Sequence, residues 1–235
     1  IRKLDYDDAA TYKMLGQGET EGVFQLESSG MKQVLVGLQP QNLEDVIALI
    51  SLYRPGPMDS IPTYLRNRHE PDKISYKTPQ LAHILDVTNG CIVYQEQVMQ
   101  IFGELAGFSF GQADNVRRAM SKKKHAVMEA EREHFVHGCT EPGHECPGCV
   151  ANGISEKVAN EIYDEMSSFA SYAFNKSHAA CYAYVAFQTA YLKCHYPSEF
   201  MAALLTSVLD NTDKVIEYSG ECARLGIKVL PPDVN

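Results

Sequence analysis

Lys176 and His178 are the side chains of this sequence with the clearest capacity to bind an anion. They flank Ser177, which is the predicted N-cap of a helix. No glycine or proline lies between Ser177 and Pro197, so we expect one helix that Pro197 ends. Cations are unfavourable at this position, because a helix dipole is already positive at its N-terminus. A phosphate bound by these side chains and by unpaired backbone N–H groups would remove the conflict. The alternative is an ordinary helix cap with a solvated lysine and a hydrogen-bonded histidine.

A second basic cluster lies at the end of a helix that Ser109 is predicted to cap and that runs to Met120. Its members, within an otherwise acidic chain, are Arg117, Arg118, Lys122, Lys123 and Lys124. Cations near a helix C-terminus are favourable by themselves, which explains part of the cluster. Neighbouring cations also repel one another unless phosphates approach, so the cluster favours an anion site. We expect the three lysines to contact phosphates.

Arg54 is a third candidate ligand for phosphate. It lies in the segment Tyr53-Arg54-Pro55-Gly56-Pro57-Met58, where two prolines around a glycine form a stiff turn that fixes the direction of the arginine. A fixed guanidinium group donates several hydrogen bonds to phosphate without further ordering. The alternative is a helix stop with a surface arginine.

Three cysteines in a short polar segment have the spacing of metal ligands. Cys146 and Cys149 are separated by Pro-Gly, and Cys139 adds a third thiolate a few residues upstream. A tetrahedral zinc site needs a fourth ligand, for which His144 is nearest in sequence and His137 is next. Because three thiolates and a histidine leave no open position, we expect structural Zn²⁺. Reduced, unliganded surface cysteines are the alternative.

Composition limits the class of protein. The hydrophobic content of 45% and charged content of 22% over 235 residues are those of a soluble globular chain, and no apolar run approaches the ~18 residues of a membrane span. A net charge of -9 argues against a dedicated nucleic-acid-binding domain but allows a local basic cleft. Seven cysteines without a secretory signal indicate reduced thiols or metal ligands, so we expect a cytoplasmic protein. A start at Ile1 indicates a piece of a longer polypeptide.

The elements that carry these residues form a predicted mainly α fold with a few short β-strands and a small cysteine-rich loop. An aspartate, Asp7 or Asp8, is predicted to cap the first helix. Later helices are predicted at 28–38, 42–53, 61–67, 95–106, 109–120, 126–136, 154–169, 177–196, 198–209 and 211–225, and strands at 23–26, 91–94 and 227–230. Four cysteines in apolar patterns are predicted to be buried thiols: Cys91, Cys181, Cys194 and Cys222.

Six segments together resemble one family. They are GVFQLESSGM at 22–31, LYRPGPM at 52–58, YQEQVMQI at 94–101, ADNVRRAMSKKK at 113–124, FNKSHAACYA at 174–183 and AYLKCHYPSEFMAALLT at 190–206. In this order, and spread over nearly the whole chain, they resemble the fingers region of the replicative C-family DNA polymerases of bacteria, the DNA polymerase III alpha subunits.

The resemblance implies a mostly helical fingers domain, residues 1–235, with possible subregions 1–110 and 111–235. Such a domain would bind the incoming deoxynucleoside triphosphate (dNTP) at the end of a primer-template, and we expect Lys122, Lys123 and Lys124 to contact the DNA backbone. In the family the matching motifs face the triphosphate, which carries over to Arg117, Arg118, Asn175, Lys176, Ser177 and His178. Partners would be other domains of the subunit and replisome proteins. The cysteine segment, 137–153, replaces a plainer loop of many relatives, so the resemblance does not assign a role to its cysteines.

The mechanism that follows is electrostatic positioning of the triphosphate for attack by the primer 3′ hydroxyl, with His178 as a candidate general acid for the leaving pyrophosphate. The resemblance places the Mg²⁺-binding aspartates in the palm, upstream of Ile1, so we expect the chain alone to be inactive. Two alternatives are a zinc-containing module that binds DNA or protein, and a metal nuclease with Asp5 and Asp7 as ligands. Helix capping is the better interpretation of these aspartates.

Overall fold

The computed structural model describes residues 4–122, 125–170 and 174–231. Within them the chain is mainly helical, as predicted, and its α-helices are α1 (Ala9–Gly16), α2 (Ser29–Leu38), α3 (Leu43–Leu52), α4 (Ile61–His69), α5 (Ala82–Leu85), α6 (Gln95–Ala106), α7 (Phe110–Ser121), α8 (His125–His137), α9 (Gly148–Ala151), α10 (Glu156–Ala170), α11 (Lys176–His195), α12 (Pro197–Ser207) and α13 (Thr212–Arg224). Short 3-10 helices occur at Pro57–Ser60, Pro71–Lys73, Pro79–Leu81 and Asp86–Thr88. None of the helices in the described ranges is long and apolar enough to cross a membrane.

The chain divides into two compact units. Unit 1 consists of residues 1–50 and 180–235, and unit 2 of residues 51–179. The boundaries fall inside α3 and α11, so both helices have residues in each unit. The proposed subregions 1–110 and 111–235 follow the chain instead of this division and stay a prediction.

Unit 1 has a core to which α11 contributes small residues. Ala183, Ala186 and Ala190 are fully buried, and the ring of Phe187 on the same helix packs against Tyr12 of α1 with centroids 5.1 Å apart. The predicted cap of α1 is confirmed for Asp8, whose carboxylate accepts the N–H of Thr11. This cap fixes the start of α1 at Ala9.

Unit 2 is organised around α6. Its predicted apolar face, Val98, Ile101, Phe102 and Leu105, is fully buried. The Phe102 ring lies 5.0 Å from that of Phe135 on α8. Burying aromatic and branched side chains in this way is the main source of stability for such a helical unit. The packed face of α6 fixes the direction of its polar N-terminal residues.

The predicted β-strands are wrong for the described residues, which contain isolated bridges but no strand. Residues 23–26 form successive tight turns, because Val23 N–H bonds to Thr20 and Leu26 N–H bonds to Val23. Gln25 adopts a φ of 64°, in the left-handed region. The apolar run reflects burial and not sheet pairing, since Val23 and Leu26 are both fully buried. Residues 91–94 make one bridge, and 227–230 have no regular secondary structure.

Candidate functional site

The N-cap of α11 lies two residues earlier than predicted. Asn175 is its N-cap, because the side-chain Oδ1 of Asn175 accepts the N–H of His178 at 2.9 Å. The prediction of Ser177 as the cap is therefore wrong, and this serine lies exposed in the first turn. Asparagine and serine cap helices about equally well, so residue type alone could not decide between them. His178 is exposed and Lys176 is half-buried.

Glu96 of α6 binds this helix terminus, a contact that the sequence analysis missed. Its carboxylate accepts the backbone N–H of Lys176, at 3.3 and 3.2 Å, and the side-chain amide of Asn175 at 3.0 Å. The protein thus supplies its own anion to the positive end of α11. An incoming phosphate would meet the side chains of Lys176, Ser177 and His178, and not the amide of residue 176.

Arg54 lies beside the same motif. Its guanidinium carbon is 4.2 Å from the ring centroid of Phe174, and its Nε donates to the carbonyl of Ser51 at 2.9 Å. Partial burial lowers the pKa of this guanidinium from its usual value. The Phe174 ring also contacts the ring of His178, with centroids 5.3 Å apart. The structure therefore brings together Arg54 and His178, which are far apart in sequence.

A short parallel bridge holds the segment before α11 against the start of α6. Tyr94 and Phe174 form the bridge, and the N–H of Gln95 donates to the Phe174 carbonyl at 3.0 Å. The buried side chain of Gln97 accepts the Tyr94 N–H at 2.9 Å. The ammonium of Lys176 lies 5.2 Å from the Tyr94 ring centroid. Buried contacts thus fix the backbone on which the exposed polar residues stand.

The arginine pair of α7 is anchored by Asp114. Arg117 donates to its Oδ1 at 3.0 and 2.7 Å and to Gln95 of α6 at 3.0 Å. Arg118 contacts Oδ2 at 2.8 Å but is 65% exposed at its side chain, against 18% for Arg117, so Arg117 is the more fixed of the two. Hydrogen bonds from Arg117 lower the pKa of the Asp114 carboxyl. The contribution of the Asp114–Arg117 pair to folding stability is therefore complete at a pH above 3.8, the ordinary pKa of an aspartate. It is lost as the pH falls through the lowered pKa of Asp114.

Adjacent residues of α6 connect the two groups of cations. Gln95 binds Arg117, and Glu96 binds the start of α11. A cavity of about 550 Å³ opens beside them, and its lining includes Arg117 and Asn175 together with the apolar side chains of Met99 and Phe110. The structure thus connects the predicted arginine and Asn-Lys-Ser-His motifs through two adjacent residues of α6, and one residue of each motif lines the cavity. Gln95 and Glu96 were signalled only by their place in the segment YQEQVMQI.

The lysine cluster after α7 is described in part. Lys122 is exposed, as a DNA contact would require, and it ends α7 as the C-cap. Lys123 and Lys124 lie outside the described residues.

The cysteine-rich loop between α8 and α9 forms a small hairpin. Cys139 and Cys146 exchange two backbone hydrogen bonds of 2.9 Å, a pairing that sets their side chains next to each other. Cys149 is fully buried, and burial, together with the neighbouring Cys146 thiol, raises its pKa to about 12. His144 is exposed. Among the described residues, these four do not bring three ligand atoms within 4.8 Å of one another.

Two glycines close this hairpin by backbone contact. A Cβ on Gly148 would lie 2.3 Å from the backbone nitrogen of Gly138, and both glycines have φ values in the left-handed region, 78° and 87°. Only glycine fits both constraints. Of the other cysteines, Cys91 and Cys222 are buried as predicted, but Cys181 is exposed and Cys194 is half-buried, so the prediction of burial is wrong for Cys181.

Glu96→Ala is expected to lower the free energy of unfolding by about 1–2 kcal/mol, because the Lys176 N–H and the Asn175 amide both lose their acceptor. Glu96→Gln keeps an acceptor oxygen and should restore about half of the loss. Urea denaturation measures both variants. The matched control is Glu104→Ala, which removes a more exposed glutamate from the same helix. Equal effects of the two alanine variants would show that Glu96 does not cap α11.

A helical domain in which arginine, lysine and histidine side chains converge at a helix terminus has the features of a phosphate-binding domain. Residues 1–143 match the model of the bacterial DNA polymerase III alpha subunit finger domain. The chain belongs to this family, and the resemblance in the sequence is confirmed. It is 51% identical over 99% of its length to the DNA polymerase III subunit alpha of Thermus aquaticus. Identity is 44% over its whole length to the subunit from Staphylococcus aureus strain N315. The chain spans 19% and 21% of these relatives.

Proposed function

We propose that this chain is the fingers portion of a replicative DNA-directed DNA polymerase, a nucleotidyltransferase, and that it binds the incoming dNTP at the primer-template end. The observation that carries the proposal is the joining of Arg117 to the Asn175–His178 motif through Gln95 and Glu96. Arg117 and Asn175, more than fifty residues apart in sequence, line the same cavity, and Lys176 and His178 follow Asn175 in the first turn of α11. A triphosphate, with several negative charges along its length, is a ligand that uses both groups.

The proposed mechanism is positioning by charge. Arg117, Arg118, Lys176 and His178 neutralise the triphosphate so that its α-phosphorus lies in line with the primer 3′ hydroxyl. Arg54 and the hydroxyl of Ser177 are further contacts of the same ligand. His178 protonates the leaving pyrophosphate, a role that its exposed position beside the Phe174 ring permits.

Mg²⁺ is the metal of the proposed reaction, in which it would supply Lewis-acid stabilisation of the charge on the triphosphate. Within the described parts of the chain, no group of three carboxylates comes together. Asp5 accepts the N–H of Asp7 in a local turn, and neither belongs to a group of three metal-ligating side chains. We therefore propose that the magnesium ligands belong to another part of the subunit and that the chain alone does not catalyse.

Lys176→Ala in the full-length subunit is expected to raise the KM for dNTP by about tenfold, since it removes one charge-assisted contact worth roughly 1.5 kcal/mol, the lower end of the usual range for such contacts. Single-nucleotide incorporation on a primer-template measures this effect. Lys77→Ala, which removes a half-exposed lysine of unit 2 outside the motif, is the control. In the same assay His178→Ala should remove one limb of the pH profile. An unchanged KM would reject the nucleotide site, and an unchanged pH profile would reject the acid role alone.

We also propose that the cysteine-rich loop binds structural zinc through Cys139, Cys146 and Cys149, with His144 as the fourth ligand. The hairpin supports this, because it sets two thiols side by side and places the third at the start of α9. Zinc measured by mass spectrometry in the purified full-length subunit should fall by about one ion per chain in Cys149→Ser. Cys91→Ser, which alters another buried thiol, should retain it. Equal zinc content in all three proteins would contradict the proposal.

The exposed Lys122, with Lys123 and Lys124, is proposed to contact the DNA backbone near the nucleotide. Further proposed partners are the other domains of the same subunit and the proteins of the replisome. A cytoplasmic location follows from this role in DNA replication.

A further inference from the structure

Three metal-ligating side chains meet in unit 1, in a group that the proposed function does not use. They are Asp8, the N-cap of α1, and the consecutive residues Cys194 and His195 at the C-terminal end of α11. One ligand atom from each lies within 4.8 Å of the others, and the Nε2 of His195 is 2.9 Å from the Oδ1 of Asp8. We propose that Asp8, Cys194 and His195 bind a zinc ion.

The types of ligand select the metal. A thiolate, an imidazole and a carboxylate together favour zinc over magnesium and calcium, which prefer oxygen ligands alone. Three protein ligands leave a fourth tetrahedral position for water or for another side chain. In the present arrangement His195 and Asp8 contact each other directly, and the metal would take the place of that contact.

Thr11 holds Asp8 in place from behind. It is fully buried, and its backbone N–H and hydroxyl both donate to the Oδ1 of Asp8, at 2.8 and 2.6 Å. Since the hydrogen bonds that the described residues make to the Asp8 carboxylate end on Oδ1, its Oδ2 is available to a metal. A buried residue that fixes a ligating side chain in this way is a common feature of metal sites.

The imidazole of His195 is held by an aromatic neighbour. It packs against the ring of Tyr191, with centroids 4.3 Å apart, which limits its rotation. The site lies at the C-terminus of α11, where the helix dipole is negative, and at the N-terminus of α1, where it is positive, so the two dipoles offset each other. Ligands that are already fixed lower the cost of assembling the site.

Protection of Cys194 from alkylation tests the proposal in the full-length subunit. Trypsin cuts after Lys193, so Cys194 and the exposed Cys181 of the same helix fall in different peptides and are quantified separately. We expect Zn²⁺ to slow the reaction of N-ethylmaleimide with Cys194 by at least about tenfold, because a coordinated thiolate is withdrawn from reaction. Mg²⁺ should not slow it, and Cys181 should react equally under all conditions. Labelling of Cys194 that ignores zinc would overturn the proposal.

Two variants separate coordination from simple occlusion. His195→Asn removes a ligand and should abolish the protection, and Thr11→Val should weaken the zinc affinity by about 10- to 100-fold while preserving the volume of a buried side chain. Circular dichroism confirms that both variants are folded. Protection that persists in His195→Asn would show that Asp8 and His195 form only an ion pair and that zinc acts elsewhere. The readout needs no polymerase activity, so it does not depend on the proposed function.

Discussion

Arg117→Ala in the full-length subunit is expected to raise the KM for dNTP by about 10- to 100-fold, because the variant loses charge-assisted hydrogen bonds to the triphosphate that are worth roughly 1.5–3 kcal/mol. A guanidinium group has five N–H bonds. Three of those of Arg117 are used by Asp114 and Gln95, so two remain for a phosphate while the group is already oriented. Because this ordering is complete before the ligand arrives, little conformational entropy is lost on binding.

The comparison with Arg118 makes this prediction specific. Arg118 shares Asp114 but keeps 65% of its side chain exposed, so we expect a smaller rise in KM for Arg118→Ala than for Arg117→Ala. Arg117→Lys should recover little, since an ammonium group cannot reproduce the fork that binds Asp114 and Gln95 together. Steady-state incorporation at saturating primer-template separates KM from kcat.

Arg132→Ala is the matched control for Arg117→Ala. This arginine also belongs to unit 2, pairs with a carboxylate and is 22% exposed at its side chain, but it packs on Tyr163 of α10 and does not line the cavity beside α6. Its replacement should lower stability without changing the KM for dNTP. A KM that is unchanged in Arg117→Ala, or raised equally in the control, would show that Arg117 is a structural residue.

The cations of the site could be predicted from sequence because each lies on a recognisable local feature. Arg54 precedes a Pro-Gly-Pro turn, Arg117 lies in the last turns of a capped helix, and Lys176 begins the longest helix. Local signals of this kind determine where an element begins or ends. The sequence also predicted the buried face of α6, since its apolar residues recur at the helical period.

The partners of those cations could not be predicted. Glu96 meets Asn175 and Lys176 across about eighty residues of sequence, and no local pattern encodes such a pairing. The wrong prediction of β-strands has a similar cause. A short apolar run, such as 23–26, is too short to show a periodicity that would distinguish a buried turn from a strand. The missed contact and the wrong strand both depend on tertiary packing. Packing determines which polar group a carboxylate contacts and whether an apolar segment pairs with another strand.

Glu221→Ala is expected to lower the free energy of unfolding by about 3–5 kcal/mol, the typical result of removing one partner from a buried ion pair. Glu221 has 3% of its side chain exposed, and its carboxylate is 2.7 Å from the ammonium of Lys193, which is 1% exposed. Arg224 binds the same carboxylate at 2.7 Å. Without Glu221, Lys193 would keep the carbonyl of Glu21 at 2.9 Å and a carboxylate oxygen 3.9 Å away.

The charge of Glu221 also sets a pH dependence. Burial acts to raise the pKa of its carboxyl, but hydrogen bonds from Arg224 and Lys193 outweigh burial and hold the pKa below its usual value of 4.5. The stability contributed by the pair is thus present above that value and is lost as pH falls through the lowered pKa. Urea denaturation at two pH values measures it. Glu217→Ala, on the exposed side of α13, should cost at most about 1 kcal/mol.

A double variant distinguishes the pair from the packing around it. In Glu221→Leu with Lys193→Met, neither buried charge remains, and Arg224 can turn its half-exposed head toward Glu19, which it already contacts at 3.1 Å. Replacing a buried ion pair by apolar side chains of similar volume is often neutral, so the double variant should be more stable than Glu221→Ala by about 2 kcal/mol or more. If it is as unstable as the single variant, the loss comes from packing, and the uncompensated Lys193 ammonium is not its cause.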